Sequence, residues 1–228
     1  MRRFLTDASH ELRTPLAAIQ GYAQLTRRES AALPETTEYA LARIESESRR
    51  MTALVGDMLL LSRLDEGQGL ETRRVDLSAL VTDAVNDAVV SAPGHRWLAD
   101  LPAEPVWVMG DQARLHQVLT NLLANAHHHT PSGVTVTTAI RVVSGDTGRQ
   151  VRLTVVDDGP GIDAKLIPDL FDRFVRGHGG ERNRSDDSNS TGLGLAIVAS
   201  ITEAHGGTVM ARSGGGTTEF RIALPAAE

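Results

Sequence analysis

Hydrophobic positions near the start of the chain recur at sevens. Leu5, Leu12 and Ile19 make one row, and Ala8, Leu16 and Ala23 fill the places between. That spacing predicts a helix over residues 1–31 with a single apolar seam. Leu33-Pro34-Glu35 breaks it. After Thr36 a second stripe begins, with Leu41, Ile44, Ser48, Met51, Val55 and Met58, widened by Leu54 and Leu61. It runs out at Leu64-Asp65-Glu66-Gly67. Two long amphipathic helices joined by a short turn predict an antiparallel hairpin. One hairpin leaves its stripe half covered, so two copies should close a four-helix bundle, making the chain a homodimer. Cover by the domain that follows is the alternative.

The pattern then changes. Residues 67–75 read as a polar linker. Asp76 should cap a helix to about Val90, and Asp111 another through His128. Short apolar runs at Arg96–Ala99 and Val106–Met109 read as strands. The alternation of Val134, Val136, Ile140 and Val142, the turn at Ser144–Gly148, and Val151–Val156 read as a β-hairpin. A short helix at Ala164–Leu170, a helix at Leu193–Ala204, and strands at Thr208–Arg212 and Thr218–Leu224 complete the domain. Helices with mostly antiparallel strands predict an α+β sandwich over 76–226, one sheet backed by helices. Residues 177–190 hold no apolar anchor. They are expected to be mobile without ligand and to serve as a lid between two candidate binding segments.

Composition narrows the classes. The 228 residues are 41% hydrophobic, enough for a real core. A net charge of −6 gives no electrostatic case for nucleic acid. With no cysteine there is neither a disulfide nor a thiolate metal site. No apolar run approaches the ~20 residues of a membrane span, and the start shows no signal-peptide pattern. The chain opens almost on its first motif. The expectation is a cytoplasmic piece of a longer protein.

That first motif is Ser9-His10-Glu11-Leu12-Arg13-Thr14-Pro15. His10 falls well off the Leu5–Leu12–Ile19 row and should face water. A neutral imidazole can attack a phosphoryl group if a neighbour such as Glu11 holds the other nitrogen's proton. An exposed histidine beside an acid is the plain alternative. Asn121 and Asn125, four apart on a helix, point their amides to one side. An amide oxygen suits one position on Mg²⁺, or the pair could bridge to a neighbouring loop. Asp157-Asp158-Gly159-Pro160-Gly161-Ile162 leaves a strand, and its glycines allow a turn close to a ligand or simply a tight turn. Leu170-Phe171-Asp172-Arg173-Phe174-Val175-Arg176 offers two rings and a basic group that could reach phosphates, or two core aromatics. Thr191-Gly192-Leu193-Gly194-Leu195 opens a helix whose first N–H groups suit phosphate oxygens, or is an ordinary tight entry. Gly214-Gly215-Gly216-Thr217-Thr218-Glu219-Phe220 reads as a hairpin turn that supports the site without touching ligand.

Together, and in this order, these stretches resemble the boxes of sensor histidine kinases: the phosphoacceptor box at Phe4–Leu16, then the asparagine, first glycine, phenylalanine and second glycine boxes. The resemblance implies a dimerisation and phosphoacceptor hairpin over 1–66, a linker over 67–75, and an ATP-binding catalytic domain over 76–226. That domain is related to gyrase, Hsp90 and MutL-type ATPases. It implies ATP-dependent autophosphorylation of His10 and transfer to an aspartate on the receiver domain of a response regulator. Glu11 would assist transfer, and Thr14 would place water for dephosphorylating the regulator. Asp157 would accept from the adenine amino group. The rest of the ATP site would comprise Asn121, Asn125, His128, His129, Gly159, Gly161, Ile162, Arg176, Thr191, Gly192, Leu193, Gly194 and Leu195, with Mg²⁺ on Asn125. The full-length parent would be anchored in the cell membrane through regions absent from this chain. Two positions depart from the pattern. His128 stands where a basic residue usually touches phosphate, so ATP affinity should depend on pH between about 6 and 8. Ser190 stands where glycine is common. The alternatives are another kind of ATPase or serine kinase on the same fold, or a catalytically degenerate dimer that binds a response regulator without phosphorylating it.

Overall fold

A computed structural model describes residues 16–26, 34–67, 70–145, 148–175 and 191–227. The chain divides after Glu66 into two compact units.

In the first unit, residues 16–26 form a helix, α1, and Glu35–Asp65 form α2. Pro34 stands at the N-cap of α2, where its missing N–H costs nothing. The Ser48 hydroxyl donates to the Leu16 carbonyl at 2.7 Å, and the Gln24 amide donates to Glu45 at 2.9 Å. Contacts descend along α2 as they ascend along α1, the sense of an antiparallel pair. Leu16, Ala23, Val55, Leu59 and Leu61 are buried. Ile44 and Met51, on the expected stripe, are exposed, as are Ile19 and Leu25.

The second unit is a mixed five-stranded sheet with three helices. The elements are β1 (Arg73–Asp76), α3 (Leu77–Ser91), β2 (Arg96–Asp100), β3 (Trp107–Gly110), α4 (Gln112–His129), β4 (Thr135–Gly145) and β5 (Gly148–Asp157). A 3₁₀ turn (Ile167–Asp169), α5 (Gly194–Ala204), β6 (Thr208–Gly214) and β7 (Thr217–Pro225) follow. Strand order is β2-β4-β5-β7-β6, with β2 parallel to β4 and every other pair antiparallel. Along β5, Val151, Leu153 and Val155 are buried; along β7, Phe220, Ile222 and Leu224 are. The residues between are more exposed, so one face carries the core, as strand periodicity requires. Against it lie Leu119 and Leu122 of α4, Ile197 and Ile201 of α5, and Leu77 and Val81 of α3, all nearly inaccessible.

The structure of the second unit differs from the sequence reading at two places. Arg73–Asp76, mostly read as linker, is a strand that pairs with β3 in a separate two-stranded sheet, so there are two sheets and not one. Arg74 lies over the Trp107 ring at 4.6 Å, which favours that pairing. The helix expected at Ala164–Leu170 is only the 3₁₀ turn, because Pro168 cannot supply the backbone donor of a longer helix.

Candidate functional site

The site of the second unit forms where its inward-facing rows end. Asp157 occupies the last inward position of β5, in step with Val151, Leu153 and Val155, so the strand's period carries its carboxylate to the core side. It is 5% exposed. Its Cα partner across the ladder is Thr218, the first inward residue of β7 and equally buried. Burial pushes the Asp157 carboxyl above the usual carboxylate range, and the neighbouring Asp158 adds to this. Hydrogen bonds from the Gly159 N–H, at 3.1 Å, and from Thr218 oppose it. A buried carboxylate this lightly partnered favours a ligand that brings its own donor. Thr218 belongs to the stretch read as not touching ligand. The only sign of its role is cross-strand register, which no linear pattern displays.

Asp158 faces elsewhere: its Oδ1 accepts from the Thr135 N–H at 2.7 Å and secures the start of β4. The turn beyond is tight. A Cβ at Gly159 would stand 2.6 Å from Thr130 Cγ2 and 2.7 Å from Asp157 Oδ1. Gly161 takes φ +87°, open chiefly to glycine. Ile162 is half-buried and its N–H donates to Ser213 Oγ at 2.8 Å, tying the turn to β6. The Ile162 N–H is therefore not offered to a ligand.

Asn121 and Asn125 lie on α4, both half-buried. The Asn121 amide donates to the Gly194 carbonyl at 3.2 Å, so it bridges α4 to the first turn of α5. The Asn125 side chain makes no hydrogen bond among the described residues. A half-buried amide without a partner fits the single neutral oxygen that Mg²⁺ would take beside phosphates and water. His128 and His129, at the end of α4, are exposed. The His128 ring lies 5.1 Å from that of His127, which meets His95 edge-on at 5.2 Å.

The helix starts differ in a way that matters. Asp76 and Asp111 cap α3 and α4 with side-chain oxygens, whereas α5 has no side-chain cap. Among the described residues its first N–H groups meet no side-chain cap, which suits an anion, and the dipole favours one. Gly192, at φ +68°, lets the preceding chain pass close: a Cβ there would stand 3.0 Å from Phe174 Cα. The Phe174 N–H donates to the Gly192 carbonyl at 2.8 Å. The Thr191 hydroxyl accepts weakly from the Leu193 N–H, at 3.3 Å. The Leu193 side chain is inaccessible and contributes through its main chain alone; Leu195 is half-buried. Phe171 packs edge-on against Phe220, with centroids 6.4 Å apart, while Phe174 is 55% exposed and so is not a core aromatic. His10, Glu11, Thr14 and Arg176, and the expected lid at 177–190, lie outside the described residues.

Comparison with known proteins adds the lineage. Residues 110–228 match the family model for histidine kinase-, DNA gyrase B- and HSP90-like ATPases, and residues 1–67 match the His Kinase A phospho-acceptor domain. The chain is 62% identical over 229 residues to the sensor histidine kinase TrcS of Mycobacterium tuberculosis, covering all of this chain and 44% of that protein. It is 53% identical over 225 residues to the probable sensor histidine kinase TcrY of the same organism, covering 99% of this chain and 46% of that one. It thus spans less than half the length of these relatives. The crystal structure of full-length ShkA in complex with AMPPNP superposes with a TM-score of 0.82 at 27% identity, covering all of this chain and 46% of that one.

Proposed function

This chain belongs to the sensor histidine kinase family, and from that premise we propose that it binds ATP, phosphorylates its own His10 and passes the phosphoryl group to an aspartate of a response regulator. The observation that carries the reading is Asp157, a buried and lightly partnered carboxylate beside a glycine turn, suited to the amino edge of adenine. Asn125 would hold Mg²⁺, which supplies charge neutralisation at the triphosphate. The uncapped first turn of α5 would receive phosphate oxygens.

The transfer needs little covalent help from the protein. The imidazole nitrogen of His10 attacks the γ-phosphorus in line, the bond to the β–γ bridging oxygen breaks, and ADP leaves. Glu11 takes the proton from the other ring nitrogen. The P–N bond is reactive enough to donate onward, and Thr14 would place water when the regulator's phosphate is removed. The linker lets the catalytic unit, 76–226, bring nucleotide to the hairpin, 1–66. Pairing of two hairpins is supported by Ile19, Leu25, Ile44 and Met51, apolar side chains left exposed on one chain. The regulator would dock on the bundle beyond Pro15. The chain would work on the cytoplasmic side of a membrane-anchored parent, in keeping with its spanning 44% of TrcS. Among the described residues, no helix is long and apolar enough to cross a membrane.

Incubation with γ-labelled ATP tests the reading. The expected label is lost in acid, kept in alkali and absent in His10→Gln. Label persisting in His10→Gln would mean another kind of kinase. No label despite nucleotide binding would favour the degenerate regulator-binding dimer, for which the exposed His128 in place of a basic residue is the argument.

A further inference from the structure

A histidine just past the end of α5 contacts both helices that carry the proposed phosphate residues. The His205 ring lies between the end of α5 and the start of α4. Its Nδ1 is 2.7 Å from the Ile201 carbonyl, and its Nε2 is 2.9 Å from the Asp111 backbone nitrogen. A carbonyl oxygen only accepts, so Nδ1 carries the hydrogen. A backbone N–H only donates, so Nε2 presents a lone pair. These two bonds fix one neutral tautomer.

The surroundings are shaped around the ring. A Cβ at Gly110 would stand 2.6 Å from His205 Cδ2 and 2.8 Å from Nε2. Gly206, at φ +70°, turns the chain out of α5. At Gly207 a Cβ would stand 2.4 Å from the Ala223 carbonyl, so the end of α5 is seated on β7. The ring reaches α4 from a fixed base.

At the opposite end of the pair, the Asn121 amide donates to the Gly194 carbonyl. Ten residues of α4 and eleven of α5 separate the two ties, about 15 and 16 Å of helix. The matched lengths make an antiparallel pair pinned twice. Asn125 belongs to one helix and the uncapped turn to the other, so their separation depends on that register. Asp157 and its glycine turn stand on β5 and do not.

We infer that His205, as its Nδ1–H tautomer, is a positioning residue that sets the phosphate-binding turn of α5 against the metal-binding amide of α4. The inference rests on the ATP-binding reading above. It separates the two ends of the nucleotide: His205 governs grip on the triphosphate and leaves grip on the base alone.

Titrate the full chain with AMPPNP and Mg²⁺ by calorimetry, and with adenosine by following the Gly159 and Gly161 amides in NMR spectra. His205→Phe keeps the ring but strands the buried Asp111 N–H, and should weaken AMPPNP about tenfold. Adenosine should change by less than about twofold, as expected of a remote site. In His205→Gln the amide oxygen can accept the same N–H, and AMPPNP affinity should return to within about threefold of the parent. Long-range ¹H–¹⁵N spectra of the parent should show Nδ1 protonated and Nε2 bare. Equal losses for both ligands, no loss in His205→Phe, no rescue by Gln, or the other tautomer would each overturn the inference. If His205→Phe does not fold, the Gln variant and the tautomer spectrum still decide. A parent chain that binds no AMPPNP overturns the functional reading and this inference with it.

Discussion

Asp157 is a single residue held in a state that its charge opposes. Its carboxyl lies above the usual range because it is buried. A carboxyl raised by folding adds stability below its unfolded value, and that stability is lost as pH rises through its folded value. At neutral pH the ionised group therefore costs the ligand-free domain stability. Asp157→Asn should raise the melting temperature slightly while cutting ATP affinity by about 30-fold, since the amide presents a donor to the adenine amino group. Calorimetry on the two proteins checks both halves. Acid should also weaken adenine binding in the parent, as protonation removes the acceptor. His128→Lys places the usual basic group at the end of α4 and should tighten AMPPNP if this position meets phosphate as proposed; an unchanged affinity by calorimetry would remove His128 from the phosphate site. Asp57 on α2 follows the same linkage: burial pushes it up to about 6. Its stabilising share is present near pH 4 and lost by neutral pH, so Asp57→Asn should melt higher at pH 7 and gain little at pH 4.

At the scale of elements, the three long helices of the second unit differ at their starts: α3 and α4 carry aspartate caps and α5 carries no side-chain cap. The Asp111 carboxylate accepts from Ala113 and Arg114 at the start of α4 and from the Glu71 N–H of the preceding segment. Burial alone would push its carboxyl up, but these backbone donors hold it below the usual range. Asp111→Ala should destabilise the second unit by about 1–2 kcal/mol in urea unfolding, the cost of a lost cap. A cap placed on α5 should do the reverse: Leu193 is core and cannot be spared, so α5 stays open at its start. Which elements could be read from sequence follows from where their signal lies. Helices α3, α4 and α5 and strands β5 and β7 carry their own periodicity, and Asp157 stood out as the first residue of the glycine-rich stretch that leaves a strand, while its inward position in step with Val151, Leu153 and Val155 came only with the structure. Strand β1 was not, because Arg73-Arg74 has no apolar alternation, and its partner β3, with Trp107 under the Arg74 guanidinium, lies more than thirty residues on. Thr218 and His205 escaped for the same reason: a partner in the fold, and not a neighbour in the chain, defines each. The motif around Asn121 was legible as a pair, but its division of labour was not. Only the structure shows the Asn121 side chain engaged with Gly194 and the Asn125 side chain without a partner among the described residues.

At the scale of the whole molecule, the two units make opposite demands on their surfaces. The catalytic unit buries its apolar rows on its own, between one sheet face and three helices. The helical unit does not. Ile44 and Met51 are seven residues apart on α2 and so share a face, yet they are 46% and 43% exposed. Two such side chains on one stripe, with Ile19 and Leu25 of α1 also uncovered, are what a helix pair shows when a second copy completes its core. The parent chain should therefore sediment at about twice its 24.4 kDa mass. Ile44→Glu with Met51→Glu places charge on that stripe, where burial would cost far more than exposure. The double variant should sediment as a monomer and still bind AMPPNP as the parent does, because the nucleotide residues lie in the other unit. Its labelling from ATP then tells how His10 is reached. Labelling at the parental rate and independent of protein concentration would mean that each catalytic unit serves its own histidine. Labelling lost with the dimer, and regained when an Asp157→Asn chain is mixed with a His10→Gln chain, both with the apolar stripe intact, would mean that each serves its partner's.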